Sequence, residues 1–314
     1  MVSHGREVLP RSDSSVVIGL GAMGLPMAVR LLAGGPVRGV ERSPERAAAA
    51  RAVGVEPSPD LAAVAGASLV LVMVARPADL EGVVEAALPH VAGGQTWVLS
   101  GTYGVEATVS VADLLAGAGA AVIDAPVTGG VAGAQSGRLL LFCAGDETVL
   151  AGVQDRLALV GEPHLVGAAP GDGQRLKAIN QLLCTIHLAA AGEALNLARA
   201  VGLDVDAAAR VLGAGAASSW MFTDRAPLML HGTPEVRSAI EVFVKDAGIA
   251  AGLACQVGAP APVLDAARQQ FLAAADAGLA REDDSTIYRL YGRQTPPSRG
   301  NTNHATDEDP ERLS

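Results

Sequence analysis

The chain has 314 residues, room for about two domains of ~150 residues each. Half of it is hydrophobic but only 3% is aromatic, so Ala, Val, Leu and Gly must build the core, and a disordered, collagen-like or coiled-coil chain is excluded. The net charge of −10 comes with no basic block, which argues against nucleic acid or an anionic membrane as partner.

Residues 1–13 read as a disordered tail, with charges where a signal peptide has its apolar core. A β-branched run at 15–19 leads directly into Gly19, Gly21 and Gly24, spaced G-x-G-x-x-G, with Ala22 and Met23 completing the loop. A helical pattern at 23–32 follows. In that context Gly19 permits a tight turn, Gly21 lets backbone approach a pyrophosphate, and Gly24 lets helix and strand pack closely. The anion then sits on the free N–H groups and positive dipole end of the helix. Glu41 ends the second strand run, 37–41, 22 residues after Gly19. A carboxylate there accepts hydrogen bonds from the adenosine ribose and repels a 2′-phosphate, which favours NAD. Arg42-Ser43 beside it could serve that phosphate, so NADP stays as the alternative.

Further strand runs at 68–74, 96–99 and 121–124 alternate with helical patterns at 44–53, 78–87 and 106–116. This alternation implies βαβ units in a doubly wound parallel sheet, an α/β domain of the Rossmann type over 14–170. Thr128-Gly129-Gly130 follows the last of these strands. A hydroxyl and consecutive glycine N–H groups form a concave anion site, suited to a carboxylate.

After Gly171 the strand signals vanish. Residues 174–200 form one long helical pattern with no internal proline and a single Gly192; further helices are predicted at 205–212, 238–257 and 262–278. An all-helical domain over 171–291, joined by the long helix, is therefore expected, then a polar, Pro-rich tail at 292–314. No segment has the ~18 uninterrupted apolar residues of a membrane span. Cys143, Cys184 and Cys255 are widely spaced and odd in number. They suit neither a disulfide framework nor a zinc site, so no metal is expected, and they fit a reducing cytoplasm.

Only two of the 23 basic residues are lysine, Lys177 and Lys245. Where a plain positive charge suffices this chain uses Arg, so a retained Lys points to an amine whose protonation can be tuned. Lys177, Asn180 and Gln181 stand at i, i+3 and i+4 of the long helix and share one face. A polar stripe is ordinarily a solvated face. Here Gly171 and Gly173 precede it. His187, ten residues beyond Lys177, lies about 15 Å away on the same helix and reads as structural. Trp220, Met221 and Arg225 are candidates for a pocket wall. Leu182, Leu183 and Ile186 flank the stripe with apolar surface, and a homodimer or homotetramer is expected.

Four stretches together resemble the β-hydroxyacid dehydrogenase family, which includes 3-hydroxyisobutyrate dehydrogenase and tartronate semialdehyde reductase. They are GLGAMGLPMA, DAPVTGGVAGAQSGRL at 124–139, GDGQRLKAINQ at 171–181 and FVKDAGIA at 243–250. Both lysines fall inside them. Several stretches, NQLLCTIHLAAAGEAL among them, are most similar to the L-threonate dehydrogenase branch. The resemblance implies an NAD-dependent oxidoreductase of a small hydroxy acid, best guessed as L-threonate or a related four-carbon sugar acid. Lys177 is then the general acid/base beside Asn180, and Thr128, Gly129, Gly130 and Gln181 bind substrate. Lys245 and Asp246 adjoin the cofactor, as do Val74 and Arg76 in MVARPAD, a loop that resembles one lying along it. Thr128 stands where the family has Ser, and Gly101 where it carries a hydroxyl residue, so the pocket departs from the family pattern. The alternatives are a 3-hydroxyisobutyrate or tartronate semialdehyde type of reductase, an imine reductase, and a non-catalytic cofactor-binding module. The last two tend to lack the lysine.

Overall fold

The computed structural model describes residues 14–294, with side chains to Tyr291. The strands are β1 (Ser15–Ile18), β2 (Val37–Val40), β3 (Glu56–Ser58), β4 (Leu69–Val72), β5 (Thr96–Leu99), β6 (Ala121–Asp124), β7 (Val127–Thr128), β8 (Leu139–Ala144) and β9 (Gly161–Gly167). They form one sheet in the order β3-β2-β1-β4-β5-β6-β8-β7, with β9 also paired to β8. The first six are parallel and follow the doubly wound order, which leaves a crevice at the carboxyl ends of β1 and β4 where the order reverses.

The interleaved helices are α1 (Gly24–Leu31), α2 (Pro44–Ala52), α3 (Pro77–Ala87), α4 (Val105–Gly117), α5 (Gly130–Ser136), α6 (Glu147–Ala151) and α7 (Gln154–Leu157). They cover both faces of the sheet. Along β1, Val17 faces a core with Met27, Leu31, Leu71 and Ile123, while Val16 and Ile18 face a second core with Val72, Leu80 and Trp97. Side chains that alternate between two dry faces explain why the central strands are apolar throughout.

The parallel pattern stops at β6. β8 runs antiparallel to β6 and β7 and parallel to β9. The sequence reading did not assign β3, β7, β8 or β9. β3 and β9 are edge strands that carry Pro57 and Pro163, and proline disguises a strand while being tolerated at an edge. The two-residue β7 is too short to show a period.

The helical part comprises α8 (Asp172–Ala200), α9 (Val205–Ala214), α10 (Trp220–His231), α11 (Ile240–Gln256), α12 (Pro262–Ala274) and α13 (Tyr288–Gln294). Helix α8 is its spine, and α10, α11, α12 and α13 all pack on it. The core between them includes Leu188, Leu195, Phe222 and Ile287, with the rings of Phe243 and Phe271 stacked 4.9 Å apart. The sequence reading missed α10 as a helix because Pro227 interrupts its pattern. Thus an α/β sheet domain of the Rossmann type is followed by an all-helical one, as the sequence predicts. The tails expected at 1–13 and 292–314 lie outside the described residues, apart from the last turn of α13. Among the described residues no helix is long and apolar enough to cross a membrane.

Candidate active site

The glycine loop sits at the crevice. Gly19 has a φ of +91°, and a Cβ there would lie 2.4 Å from the Met73 carbonyl oxygen at the end of β4. A Cβ on Gly24 would meet the Gly19 carbonyl, so α1 packs on the turn as closely as backbone allows. Gly21 faces open space. Met23, at the N-cap of α1, makes no side-chain cap, and Ala22 is exposed. The uncapped N–H groups and the room at Gly21 fit a dinucleotide pyrophosphate.

Glu41 is 7% exposed and aimed at this loop. Its carboxylate accepts from Leu20 N–H at 3.2 Å, from Ser43 N–H at 2.8 Å, and from both arms of the Arg46 guanidinium at 2.9 Å. Burial opposes its charge, but the hydrogen bonds from Arg46, Ser43 and Leu20 prevail and hold the carboxyl below its ordinary range. Ser43 in turn caps α2, with Pro44 in the first turn. A further donor could therefore reach Glu41 only in exchange for one of its present ones, of which Arg46 is the most exposed, at 57% of its side chain. Arg42 is exposed. Arg76 is held by Asp79 of α3 through bonds of 2.9 and 2.7 Å, and so turns toward its own helix.

Val74 is tied in from another direction. Its N–H donates to the Tyr103 hydroxyl at 3.1 Å, and that hydroxyl donates to the Val72 carbonyl at 3.2 Å. The buried Tyr103 ring fills the space that a side chain at position 101 would need, since a Cβ on Gly101 would lie 2.3 Å from the ring. Gly101 and Tyr103 are thus matched in packing, the ring occupying the place of a side chain at 101.

A buried junction fastens α8 to the sheet. Asp124, at the end of β6, is fully buried and accepts from Gly171 N–H at 2.9 Å and Gln174 N–H at 3.0 Å. It therefore supplies the N-terminal cap that the helix's own residues lack. Burial pushes the Asp124 carboxyl up to about 6, against the pull of these donors. The Gln174 amide donates to Asp124 and to the Gly101 carbonyl, and accepts from the N–H groups of Tyr103 and Gly104. A Cβ on Gly173 would strike the Phe142 carbonyl at 2.4 Å and Pro126 at 3.0 Å, so the helix start lies against the segment leading to Thr128. Gly129 and Gly130 have φ values of +119° and +61°, and α5 begins there without a side-chain cap. Sequence reasoning named neither Gln174 nor Asp124 as a site residue; a polar residue between Gly173 and Lys177 was the available signal.

One turn beyond Gln174, Lys177 is 6% exposed. Its Nζ donates to Gln181 Oε1 at 2.8 Å, and Asn180 Nδ2 donates to the same oxygen at 2.9 Å. Gln181 Nε2 donates to Asp246 Oδ2 at 2.6 Å, and Asp246 Oδ1 lies 2.7 Å from Lys245 Nζ. Lys245 also donates to the Thr102 carbonyl at 2.8 Å, which joins α11 to the loop after β5. The structure thus brings Lys177, Asn180, Gln181, Lys245 and Asp246 into one network. Burial lowers the Lys177 pKa; Asp246 and Cys184 oppose this and Lys245 adds to it. Arg225 is buried but engaged by Asp284 at 2.8 Å and by Asp224, while Trp220 is 58% exposed. The guanidinium therefore serves an internal pair.

Residues 15–169 match the NAD binding domain of 6-phosphogluconate dehydrogenase, and residues 171–291 match the NAD-binding family of NADP-dependent 3-hydroxyisobutyrate dehydrogenase. An L-threonate dehydrogenase of Cupriavidus necator is 36% identical over 283 residues, which is 88% of this chain and 95% of that one. Another, from Pectobacterium atrosepticum, is 30% identical over 297 residues, 92% and 97% of the two chains. A solved 3-hydroxyisobutyrate dehydrogenase from Salmonella typhimurium has a TM-score of 0.83 at 29% identity, covering 89% of this chain and 100% of that chain.

The junction has a measurable stake in stability. Gln174→Leu leaves the N–H groups of Tyr103 and Gly104 without an acceptor, and each buried group left unpaired costs about 1–3 kcal/mol. Calorimetry should show a lower thermal midpoint for Gln174→Leu than for Lys177→Ala; equal midpoints would contradict this role.

Proposed function

This chain belongs to the 3-hydroxyisobutyrate dehydrogenase-like family of NAD(P)-dependent hydroxyacid dehydrogenases, enzymes acting on a CH–OH group, and from that premise we propose that it oxidises a small hydroxy carboxylate with Lys177 as general acid/base. The observation that carries this reading is the buried Lys177 amine beside Asn180, one turn from the junction that ties α8 to the carboxyl ends of β5 and β6. The best single substrate is L-threonate or another four-carbon sugar acid, supported by the relatives at 30–36% identity.

The bound nicotinamide supplies a two-electron acceptor for the carbinol carbon. In oxidation a neutral Lys177 Nζ takes the hydroxyl proton; in reduction the ammonium returns it. Burial favours the neutral amine that the first task needs. Asn180 cannot act as a base and instead orients the reacting oxygen. Thr128 and the N–H groups at Gly129 and Gly130 hold the carboxylate. Gly19 to Gly24 receive the pyrophosphate, and Glu41 the adenosine ribose. NAD is the preferred coenzyme, with the preference reduced because Arg46 already neutralises Glu41. The free cysteines support a cytoplasmic location.

A panel of hydroxy acids assayed with NAD and NADP tests the reading. Four-carbon sugar acids should turn over best, kcat/KM should favour NAD, and Arg46→Ala should widen that ratio. Turnover of neutral alcohols as fast as of their acids would sink the carboxylate site. Lys177→Ala should lower kcat by roughly 10²–10⁴-fold. Lys177→Arg should be nearly as damaging, because Arg keeps its proton near neutral pH. A Lys177→Arg enzyme with normal kcat and pH profile would assign the proton to another group.

The outward side of α8 carries Ile179, Leu183 and Leu197, with Val201 just beyond it, each 48–64% exposed. Apolar surface of this extent is suited to a second copy of the chain in a homodimer or homotetramer. Light scattering should give two or four times the chain mass at micromolar concentration; a monomer mass would contradict it.

A further inference from the structure

A lysine and an aspartate buried in one cluster ordinarily meet as an ion pair. Here they do not. Lys177 Nζ ends on Gln181 Oε1 at 2.8 Å, and Asp246 Oδ2 meets the other end of the same amide at 2.6 Å. Gln181 Nε2 donates to Asp246 Oδ2, so the amide stands with its nitrogen inward and its oxygen toward Lys177. That oxygen also receives Asn180 Nδ2 at 2.9 Å, and Lys177, Gln181 and Asp246 are all buried. Sequence reasoning gave Gln181 to the substrate, yet both ends of its amide are engaged inside the protein.

We infer that Gln181 is a positioning residue that stands between Lys177 and Asp246, prevents their direct ion pair, and gives Lys177 an acceptor usable in both of its protonation states. This rests on the reading of Lys177 as the acid/base. A carboxylate in contact with the amine would favour the ammonium and withhold the neutral form. An amide oxygen accepts from –NH₃⁺ and from –NH₂ alike. The other groups facing Lys177 act in the same balance. Lys245 from α11 offsets the charge of Asp246, and the Cys184 thiol lies on the same face of α8. Arg225 from α10 acts on Cys184 but is itself paired with Asp284 and Asp224. Asp124, beside the start of α8, is occupied by the helix N–H groups and Gln174.

With two lysines in the chain, labelling with [ε-¹³C]lysine gives two signals, and Lys245→Arg assigns the one from Lys177. The Lys177 signal is titrated without substrate in the unsubstituted protein, in Gln181→Glu and in Asp246→Asn. Gln181→Glu puts a carboxylate in contact with the amine and should raise the Lys177 midpoint by about one pH unit or more. The rise of kcat with pH in oxidation should move with it, while NADH affinity by fluorescence stays unchanged. Asp246→Asn should lower the midpoint by less than one pH unit. The inference is overturned if Gln181→Glu leaves the midpoint in place, or if Asp246→Asn lowers it by the roughly 1–3 units expected for loss of a contact pair. Should Gln181→Glu not fold, the Asp246→Asn titration decides alone. The titration needs no turnover, so it stands apart from the Lys177→Arg kinetics.

Discussion

The start of α8 depends on a carboxylate that belongs to the sheet. Asp124 leaves β6 and takes the N–H groups of Gly171 and Gln174, and Gln174 then satisfies the loop that leaves β5. A helix of 29 residues is thereby started at a fixed point and angle relative to the strand ends. Every other helix of the second domain that packs on α8 inherits that placement. The amine of Lys177, three residues on, is set by the same contact, without a loop in between. Replacing these groups by apolar ones would leave backbone N–H groups buried and unpaired, which makes the junction costly to lose.

Two buried basic side chains of the helical domain, Arg225 and Lys177, are partnered in opposite ways. Arg225 is clasped by Asp284 and Asp224, and its charge is permanent. Lys177 rests on a neutral amide oxygen, and burial lowers its pKa. The nearest carboxylate, Asp246, is shared between an amide and Lys245. The same logic appears at the far end of the crevice, where Glu41 is kept ionised by backbone N–H groups and Arg46. A buried charge is stable only with partners, and the identity of the partner decides whether that charge can change.

Much of this was legible in the sequence because it rests on local rules. The glycine spacing after a strand run marked the crevice, and the scarcity of lysine marked Lys177 and Lys245. The doubly wound order followed from alternating periods. What escaped was non-local. Gln174 and Gln181 are polar residues on a helix whose periodicity is indifferent to which of them is buried. Only the arrival of Asp124 from β6 and Asp246 from α11 gives them their tasks. Arg76 is linked to the cofactor because its loop resembles one lying along the cofactor, and Arg42 because it follows Glu41. A single sequence could not show that Asp79, one turn away, engages the first. The edge strands β3 and β9 were hidden by prolines that the sheet accepts only at its borders.

The pairing of Gly101 with Tyr103 ties two positions of this site together. The tyrosine ring fits only over a residue without a side chain, and its hydroxyl completes the backbone bonding of Val72 and Val74. Any side chain added at 101 must displace the Tyr103 ring, and with it the hydroxyl that serves Val72 and Val74.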